Sequence, residues 1–156
     1  MRRTIPTLLV AALIAIGCSG DVTGLGLGER RAILRALEQN EEKWQALGLE
    51  NYVYRFRRVC ECPVTATVPV EIEVRNGSVF DVRLLSNGEH VAPGSGFWPT
   101  VAELFGEIRL ALADDATDIR VRYDPVFGYP LEVSISWRPE AVDGIGLFAG
   151  ELVPIQ

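Results

Sequence analysis

The segment Tyr52-Val53-Tyr54-Arg55-Phe56-Arg57 alternates aromatic side chains with Val53 and two arginines. Successive side chains of a β-strand point to opposite faces of the sheet, so this period of two predicts a strand. One face of the strand is aromatic and the other is partly basic. The segment therefore predicts one strand of a sheet that buries one face and leaves the other open to water.

The next two predicted strands form a hairpin. They are residues 68–74 and 78–85, joined through Asn76-Gly77. A two-residue loop would place apolar residues opposite charged ones and mix core and solvent on each face. A three-residue loop that also includes the preceding arginine pairs Ile72 with Phe80 instead. We predict this second register, in which Gly77 supplies the left-handed residue.

Two apolar stripes at helical spacing predict two helices. The first covers residues 29–47, and the second begins after Thr100 and continues to residue 112. Glu103 lies three residues after Thr100, which is the spacing of a capping box. The first stripe consists of Ile33, Leu34, Leu37, Trp44 and Leu47, and the second of Val101, Leu104, Phe105, Ile108, Ala111 and Leu112.

The rest of the chain predicts further strands and one domain. Alternating apolar residues at 119–123 and 131–137 indicate two strands, and residues 147–155 add a short edge strand that Pro154 ends. The predicted order is α-β-β-β-α-β-β-(β). We expect an α+β fold over residues 29–156: an antiparallel sheet of five or six strands with two helices packed on one face.

Composition indicates one folded core and excludes a nucleic-acid-binding protein. The chain has 156 residues, of which 48% are hydrophobic, and this is ample for one core. It contains 15 Lys and Arg against 21 Asp and Glu, for a formal net charge of −6. A nucleic-acid-binding protein would present a basic face, so we expect no nucleic acid as a partner.

Residues 1–17 have the pattern of a lipoprotein signal peptide. Arg2 and Arg3 form a positive start, and the apolar segment at residues 5–17 is shorter than the roughly 20 residues that span a membrane. The segment ends at Ala15-Ile16-Gly17-Cys18, which resembles the bacterial lipoprotein box. An ordinary secretory signal with an incidental cysteine is the alternative.

The mature chain is expected to begin at Cys18, whose thiol takes a diacylglyceryl group. Residues 18–28 then comprise the lipidated cysteine and a flexible, glycine-rich tether. Ser19 follows the cysteine where an aspartate would favour the inner membrane. We therefore expect a lipid anchor in the cell envelope, in the outer membrane facing the periplasm if the host has two membranes.

Cys60-Glu61-Cys62 predicts a small-ring disulfide. Thiols normally oxidise in the envelope, and lipid occupies Cys18, so Cys60 and Cys62 have only each other within the chain. Cysteines two positions apart in a flat strand lie near the upper limit for bridging, so the bond needs a local kink. An intermolecular or reduced state, and a redox or metal-binding role, remain open as alternatives.

No pattern indicates catalysis or metal binding. His90 is the single histidine, and Ser95 does not lie in the nucleophile motif of hydrolases. Zinc usually takes four ligands, which His90 and two cysteines cannot supply. A thioredoxin-like site has two residues between its cysteines. We therefore predict no catalytic residue, no metal ligand and no cofactor.

One loop motif allows a structural or a functional interpretation. Asp124 is expected to cap its own backbone, Gly128 to adopt a positive φ, and the Tyr129-Pro130 peptide bond is a candidate for the cis form. In the structural interpretation the tyrosines pack. In the functional interpretation, Phe127 and Tyr129 are rigid aromatics at a loop tip, suited to a binding hot spot. The candidate binding residues are Asp124, Phe127, Gly128, Tyr129 and Pro130.

These features together resemble an uncharacterised family of bacterial secreted and lipoprotein domains, known only as a domain of unknown function. The similarity rests on the lipoprotein signal, on Cys-x-Cys at residues 60–62 and on Tyr-Asp-Pro-x-x-Gly-Tyr-Pro at residues 123–130. It covers about residues 40–137. Trp137 stands where members often carry an acidic residue, and the C-terminal tail also differs. The resemblance implies importance of the two cysteines and of the Gly-Tyr-Pro element, and it implies no activity.

The sequence therefore predicts a noncatalytic lipoprotein of the cell envelope, acting as a binding or assembly-accessory module. Its partners would be the membrane, through the lipid, and an envelope protein. The predicted anchor, the small size and the absence of a convergent polar motif favour this function. The alternative is a thiol redox or metal-binding protein that uses Cys60 and Cys62.

Overall fold

A computed structural model describes residues 24–93, 98–138 and 144–156 of the chain. Their elements are α1 (Leu27–Ala46), β1 (Tyr52–Val59), a short 3-10 helix (Val64–Ala66), β2 (Val70–Arg75), β3 (Ser78–Leu84), α2 (Val101–Ala113), β4 (Asp118–Tyr123), β5 (Pro130–Ser136) and β6 (Ile145–Pro154). This order confirms the predicted α+β fold. Neither helix in these ranges is long and apolar enough to cross a membrane.

The six strands form one sheet in the order β3-β2-β1-β6-β5-β4, with neighbouring strands antiparallel. Strand β6 has ten residues and pairs with β1 on one side and β5 on the other. The prediction of a short edge strand at residues 147–155 is therefore wrong. Leu147 and Ala149 of β6 are buried in the core.

Both helices pack on the aromatic face of the sheet, as predicted. Strand β1 buries its three aromatic side chains and exposes the two arginines that alternate with them. Trp44 of α1 meets the ring of Tyr52 edge-on, with centroids 5.3 Å apart. Phe105 of α2 stacks on Tyr123 of β4 with centroids 6.3 Å apart. The opposite face carries the charged side chains.

Helix α1 differs from its prediction at the start and in how deeply it packs. It begins at Leu27, so Leu27 and Gly28 are helical and do not belong to the tether. Leu34 and Leu47 are 39% and 41% exposed, although both lie on the predicted apolar stripe. The buried stripe of α1 is therefore narrower than the sequence pattern indicates.

The capping box of α2 is confirmed. The Thr100 hydroxyl accepts a hydrogen bond from the Glu103 backbone N–H at 3.2 Å, and the Glu103 carboxylate accepts one from the Thr100 backbone N–H at 2.6 Å. Two donors at the helix start are thereby satisfied. The buried residues of α2 are Val101, Leu104, Phe105, Ile108 and Ala111.

Two buried hydroxyl groups of β1 position the start of α2. The Val101 backbone N–H donates to the Tyr52 hydroxyl at 3.0 Å, and the Tyr54 hydroxyl donates to the Pro99 carbonyl. Burial raises the pKa of Tyr52 to about 12 and holds the pKa of Tyr54 well above its ordinary value. Both hydroxyls therefore stay neutral at physiological pH, as the donor role of Tyr54 requires.

The predicted register of the β2–β3 hairpin is wrong. Asn76 and Gly77, with φ of 48° and 71°, form a two-residue turn. A bulge in β3 then shifts the pairing by one residue, so that Ile72 lies opposite Val82 instead of Phe80. Phe80, the additional residue, is 60% exposed. The bulge restores the apolar pairing that an uninterrupted two-residue hairpin would lose.

The β4–β5 connection folds back on itself and packs against α1. The Asp124 carboxylate accepts hydrogen bonds from the backbone N–H groups of Val126 at 2.8 Å and Phe127 at 2.6 Å, which confirms the predicted capping. Gly128 has a φ of +82°, and a Cβ atom there would lie 2.7 Å from the Asn40 carbonyl oxygen. Glycine is therefore required both by conformation and by the close approach of α1.

We predict that Gly128→Ala lowers the free energy of unfolding by about 3 kcal/mol, because it combines left-handed strain with a clash against backbone. Gly88→Ala is the matched control, since Gly88 has a φ of +75° but no atom within 4 Å of an added Cβ. It should cost only about 1 kcal/mol. Urea unfolding of the two variants measures the difference, and equal losses would contradict the role of the α1 contact.

We also predict that the chain loses stability at alkaline pH. Tyrosine ionises near 10.0 when unfolded, whereas burial raises the pKa of Tyr52 and of Tyr123 to about 12. The unfolded chain then releases protons first, so the stability present below pH 10 falls as the pH rises to 12. Each such tyrosine contributes a slope of up to about 1.4 kcal/mol per pH unit.

Tyr123→Phe isolates this effect. The Tyr123 hydroxyl is buried without a hydrogen-bond partner among the described residues, so the change removes an ionising group and no hydrogen bond. The urea midpoint of the variant should equal or exceed that of the wild type at pH 8, because the change also removes an unsatisfied buried hydroxyl. The difference in favour of the variant should grow between pH 8 and pH 11. An unchanged pH dependence would show that Tyr123 titrates normally in the fold.

Candidate functional site

Of the residues that the sequence singles out, Cys18 and Ser95 lie outside the described residues. Cys60 and Cys62 are joined as a disulfide, with their Cα atoms 5.2 Å apart. The pair follows the end of β1 at Val59 and lies in a bend, so the chain supplies the kink that the bond needs. Both cysteines are partly exposed. The small ring that the disulfide closes lies between β1 and the following 3-10 helix.

The candidate binding loop at residues 124–130 does not present its tyrosine to solvent. Tyr129 is 3% exposed, and its ring meets Trp44 of α1 with centroids 6.3 Å apart. The interpretation of Tyr129 as an exposed aromatic at a loop tip is therefore wrong, and Phe127 is itself partly buried. No described peptide bond is cis, so the expectation for Tyr129-Pro130 is also wrong. A binding role for the rest of this loop stays a prediction.

His90 belongs to a small charged cluster on the open side of β3. Its Nδ1 lies 2.8 Å from one oxygen of Asp81, and the Arg83 guanidinium lies 2.8 Å from the other. Burial raises the pKa of Asp81, but the hydrogen bonds from His90 and Arg83 outweigh that effect and lower it. The carboxylate is thus satisfied within the chain, and His90 is 67% exposed.

A groove of about 410 Å³ lies between α2 and the turn end of the β2–β3 hairpin. This volume falls within the range of about 300–1,000 Å³ for small-molecule sites. Its lining is Arg58, Gly77, Ser78, Val79, Pro93, Trp98, Pro99, Thr100, Glu103 and Glu107. The two tyrosine hydroxyls of β1 fix one wall, because they hold Pro99 and the first turn of α2.

Arg58 is the basic residue of this groove. It shares the face of β1 with Tyr52, Tyr54 and Phe56, so its side chain lies on the helix side of the sheet and is only partly exposed. Its Nε is buried without a hydrogen-bond partner, and the described residues offer it no ion pair. A partly buried charge without a partner is costly, which marks Arg58 as a candidate functional residue.

Trp98 provides a second unsatisfied donor. The residue is 5% exposed, and its indole Nε1 is buried without an acceptor among the described residues. Buried indole N–H groups usually find a hydrogen-bond partner. Within the described residues, two buried donors beside the groove thus lack an acceptor, one on a charged side chain and one on a neutral side chain.

The α2 wall of the groove is acidic. Glu103 and Glu107 lie one helical turn apart, a spacing at which like charges destabilise a helix by about 0.2–0.5 kcal/mol. One oxygen of Glu103 is used by the capping box. Glu107 is partly buried and has no hydrogen bond or ion pair within the described part of the chain. Positive and negative side chains that form no ion pair within the described residues therefore line one cavity.

The sequence contains a signal for this groove that the predictions above do not use. If the alternation that begins at Tyr52 is continued through Phe56, it places Arg58 on the core face of the strand. A charge in phase with buried aromatics conflicts with the local pattern, and such conflicts often occur at functional sites. The neighbourhood of Trp98 and Glu107 has no comparable signal, because distant segments bring them together.

Comparison with known proteins places the chain in a family but gives it no activity. No curated protein and no solved structure matches the chain. A family described as "Family of unknown function (DUF6174)" matches residues 36–153. The match extends from the middle of α1 to the penultimate residue of β6, so it includes nearly the whole sheet, α2 and the described lining of the groove. The chain therefore belongs to the DUF6174 family.

Proposed function

We propose that this chain is a lipid-anchored, noncatalytic protein of the bacterial cell envelope that binds a ligand in the groove beside α2. The anchor is the lipid on Cys18, inferred from the sequence of residues 1–18. The outer membrane, with the domain facing the periplasm, is its site in a host with two membranes. The observation that carries the binding function is Arg58, which has no ion pair among the described residues and lines one groove with Glu103 and Glu107.

The groove supports binding better than catalysis. A serine nucleophile needs a base within hydrogen-bond reach, and Ser78 makes no hydrogen bond to a histidine or carboxylate of the described residues. The Thr100 hydroxyl is used by the capping box. The remaining polar groups are donors and carboxylates on separate walls, which can hold a ligand without a bond being made or broken.

A thiol redox function is the second candidate. The observation in its favour is the Cys60–Cys62 disulfide, which is partly exposed in a bend outside the regular strand. Thiol exchange requires such access. The disulfide closes a loop of three residues and stabilises the fold by about 1.5 kcal/mol in the loop-entropy description. The binding function, in contrast, assumes that the disulfide has only this structural role.

One measurement tests the anchor and separates the two candidates. We predict that the intact mass of the chain purified from membranes shows Cys18 as the first residue with acyl groups attached. A thiol-alkylating reagent should add nothing, in the folded or the urea-unfolded chain, because Cys60 and Cys62 are bonded. Treatment of the folded chain with reduced glutathione before the alkylating reagent should also give no labelling, because the disulfide stays closed.

Two outcomes would contradict this proposal. An unacylated wild-type chain would refute the lipid anchor, and Cys18→Ser supplies the reference mass without acyl groups. The redox function would be favoured if glutathione made both Cys60 and Cys62 of the folded chain available for labelling, and if an oxidant added before the alkylating reagent prevented that labelling.

We further predict that the low-molecular-weight fraction of an envelope extract raises the melting temperature of the detergent-solubilised chain. A ligand that binds only the folded state stabilises it by mass action. Arg58→Gln should abolish the rise. Arg57→Gln is the matched control, because Arg57 is the neighbouring residue on the open face, with its guanidinium 4.6 Å from the ring centroid of Phe148.

The control should respond like the wild type. The same rise in Arg58→Gln as in Arg57→Gln would place the ligand outside the groove. The absence of any rise in the wild type would refute ligand binding as proposed.

A further inference from the structure

The two charged walls of the groove indicate the class of its ligand. Arg58 comes from β1, whereas Glu103 and Glu107 come from α2, and all three line one cavity of about 410 Å³. We infer that the groove binds a zwitterion with a carboxylate and an ammonium group, as in a free amino acid or a short peptide. This inference rests on the proposed binding function and adds the chemistry of the ligand.

The Arg58 wall selects a carboxylate. A guanidinium can only donate hydrogen bonds, so its partner must be an acceptor. Arginine pairs with carboxylates through two parallel hydrogen bonds, which makes this interaction both strong and directional. Trp98 lines the same groove, but its indole Nε1 is buried, so this side chain serves as a reporter of the groove and not as a ligand contact. A ligand carboxylate would pair with the Arg58 guanidinium.

The α2 wall selects an ammonium group. Carboxylates only accept hydrogen bonds, and Glu107 has no partner in the described residues. Glu103 keeps one oxygen outside the capping-box bond. A cation between the two glutamates would remove the repulsion between like charges one turn apart. An ammonium group, with three donors, fits this wall.

The two walls do not neutralise each other. Arg58 forms no ion pair with either glutamate, although opposite charges that share a groove would gain from contact. The space between them therefore admits a ligand that carries both complementary charges. Phosphate, a nucleotide or another purely anionic ligand would meet repulsion from Glu103 and Glu107. A simple amine would be repelled by Arg58.

The test uses four probes: two zwitterions, and two derivatives that each lack one of the two charges. Alanine and dialanine carry both charges at different separations, dialanine amide lacks the carboxylate, and N-acetyl-dialanine lacks the ammonium group. The ¹⁵N-labelled full chain in detergent has three tryptophan indole signals, and Trp98→Phe identifies the one in the groove. Titration of each probe against that signal gives its dissociation constant.

We expect alanine or dialanine to shift the Trp98 signal, and the amide and the N-acetyl derivative to bind at least tenfold more weakly. Binding by alanine identifies a free amino acid as the source, and binding by dialanine alone identifies a peptide. Arg58→Gln and Glu107→Gln should each weaken the zwitterion at least tenfold. Arg57→Gln and Glu42→Gln, on exposed surfaces outside the groove, should change it less than twofold.

Several results would overturn the inference. Equal binding of a zwitterion and its singly charged derivative would show that the missing charge is not recognised. No shift of the Trp98 signal by any probe would also overturn it. The proposed function is judged separately: if the envelope extract still stabilises the wild type and not Arg58→Gln, the groove binds a ligand of another class. If the extract has no effect, the binding function itself fails.

Discussion

The hydrogen bonds of two tyrosine hydroxyls determine how the helical layer lies on the sheet. Tyr52 and Tyr54 belong to β1, a central strand, and they hold the Val101 N–H and the Pro99 carbonyl. A buried hydroxyl or backbone group without a partner costs about 1–3 kcal/mol, so alternative placements of the α2 start are disfavoured. The same bonds place Trp98 and Glu103 beside the strand that carries Arg58. The groove therefore follows from the packing of the core.

Arginines on the two faces of the sheet differ in their ion pairing. On the open face, arginines pair within the chain, as in Arg55–Glu151 at 2.5 Å and Arg83–Asp81 at 2.8 Å. Such exposed pairs contribute about 0–1 kcal/mol each, and water serves the groups that remain. Arg58 lies on the covered face, where it is partly exposed and no described residue forms an ion pair with it.

Sequence patterns predicted the features that depend on neighbours along the chain. The alternation in β1 and the capping box of Thr100 and Glu103 were found correctly, because each involves residues within one element. The predicted hairpin register is wrong because a bulge at Phe80 shifts the strand pairing by one residue, and the turn sequence does not indicate this bulge. Tyr129 was misjudged because its burial depends on α1, far away in the sequence. The alternation in β1 also predicts that Arg58 lies on the core face, if it is continued two residues beyond Phe56.

The amino-acid sequence by itself determined the kind and order of the elements, the capping box of α2 and the self-capping of Asp124. These result from backbone preferences and hydrogen bonds within a few residues. Only the tertiary structure decided that β6 lies at the centre of the sheet and that Arg58 shares a groove with Trp98 and Glu107. Those relations join segments tens of residues apart, and their energy comes from burying the aromatic face of the sheet as a whole. No local pattern encodes which distant side chains that burial leaves without a partner.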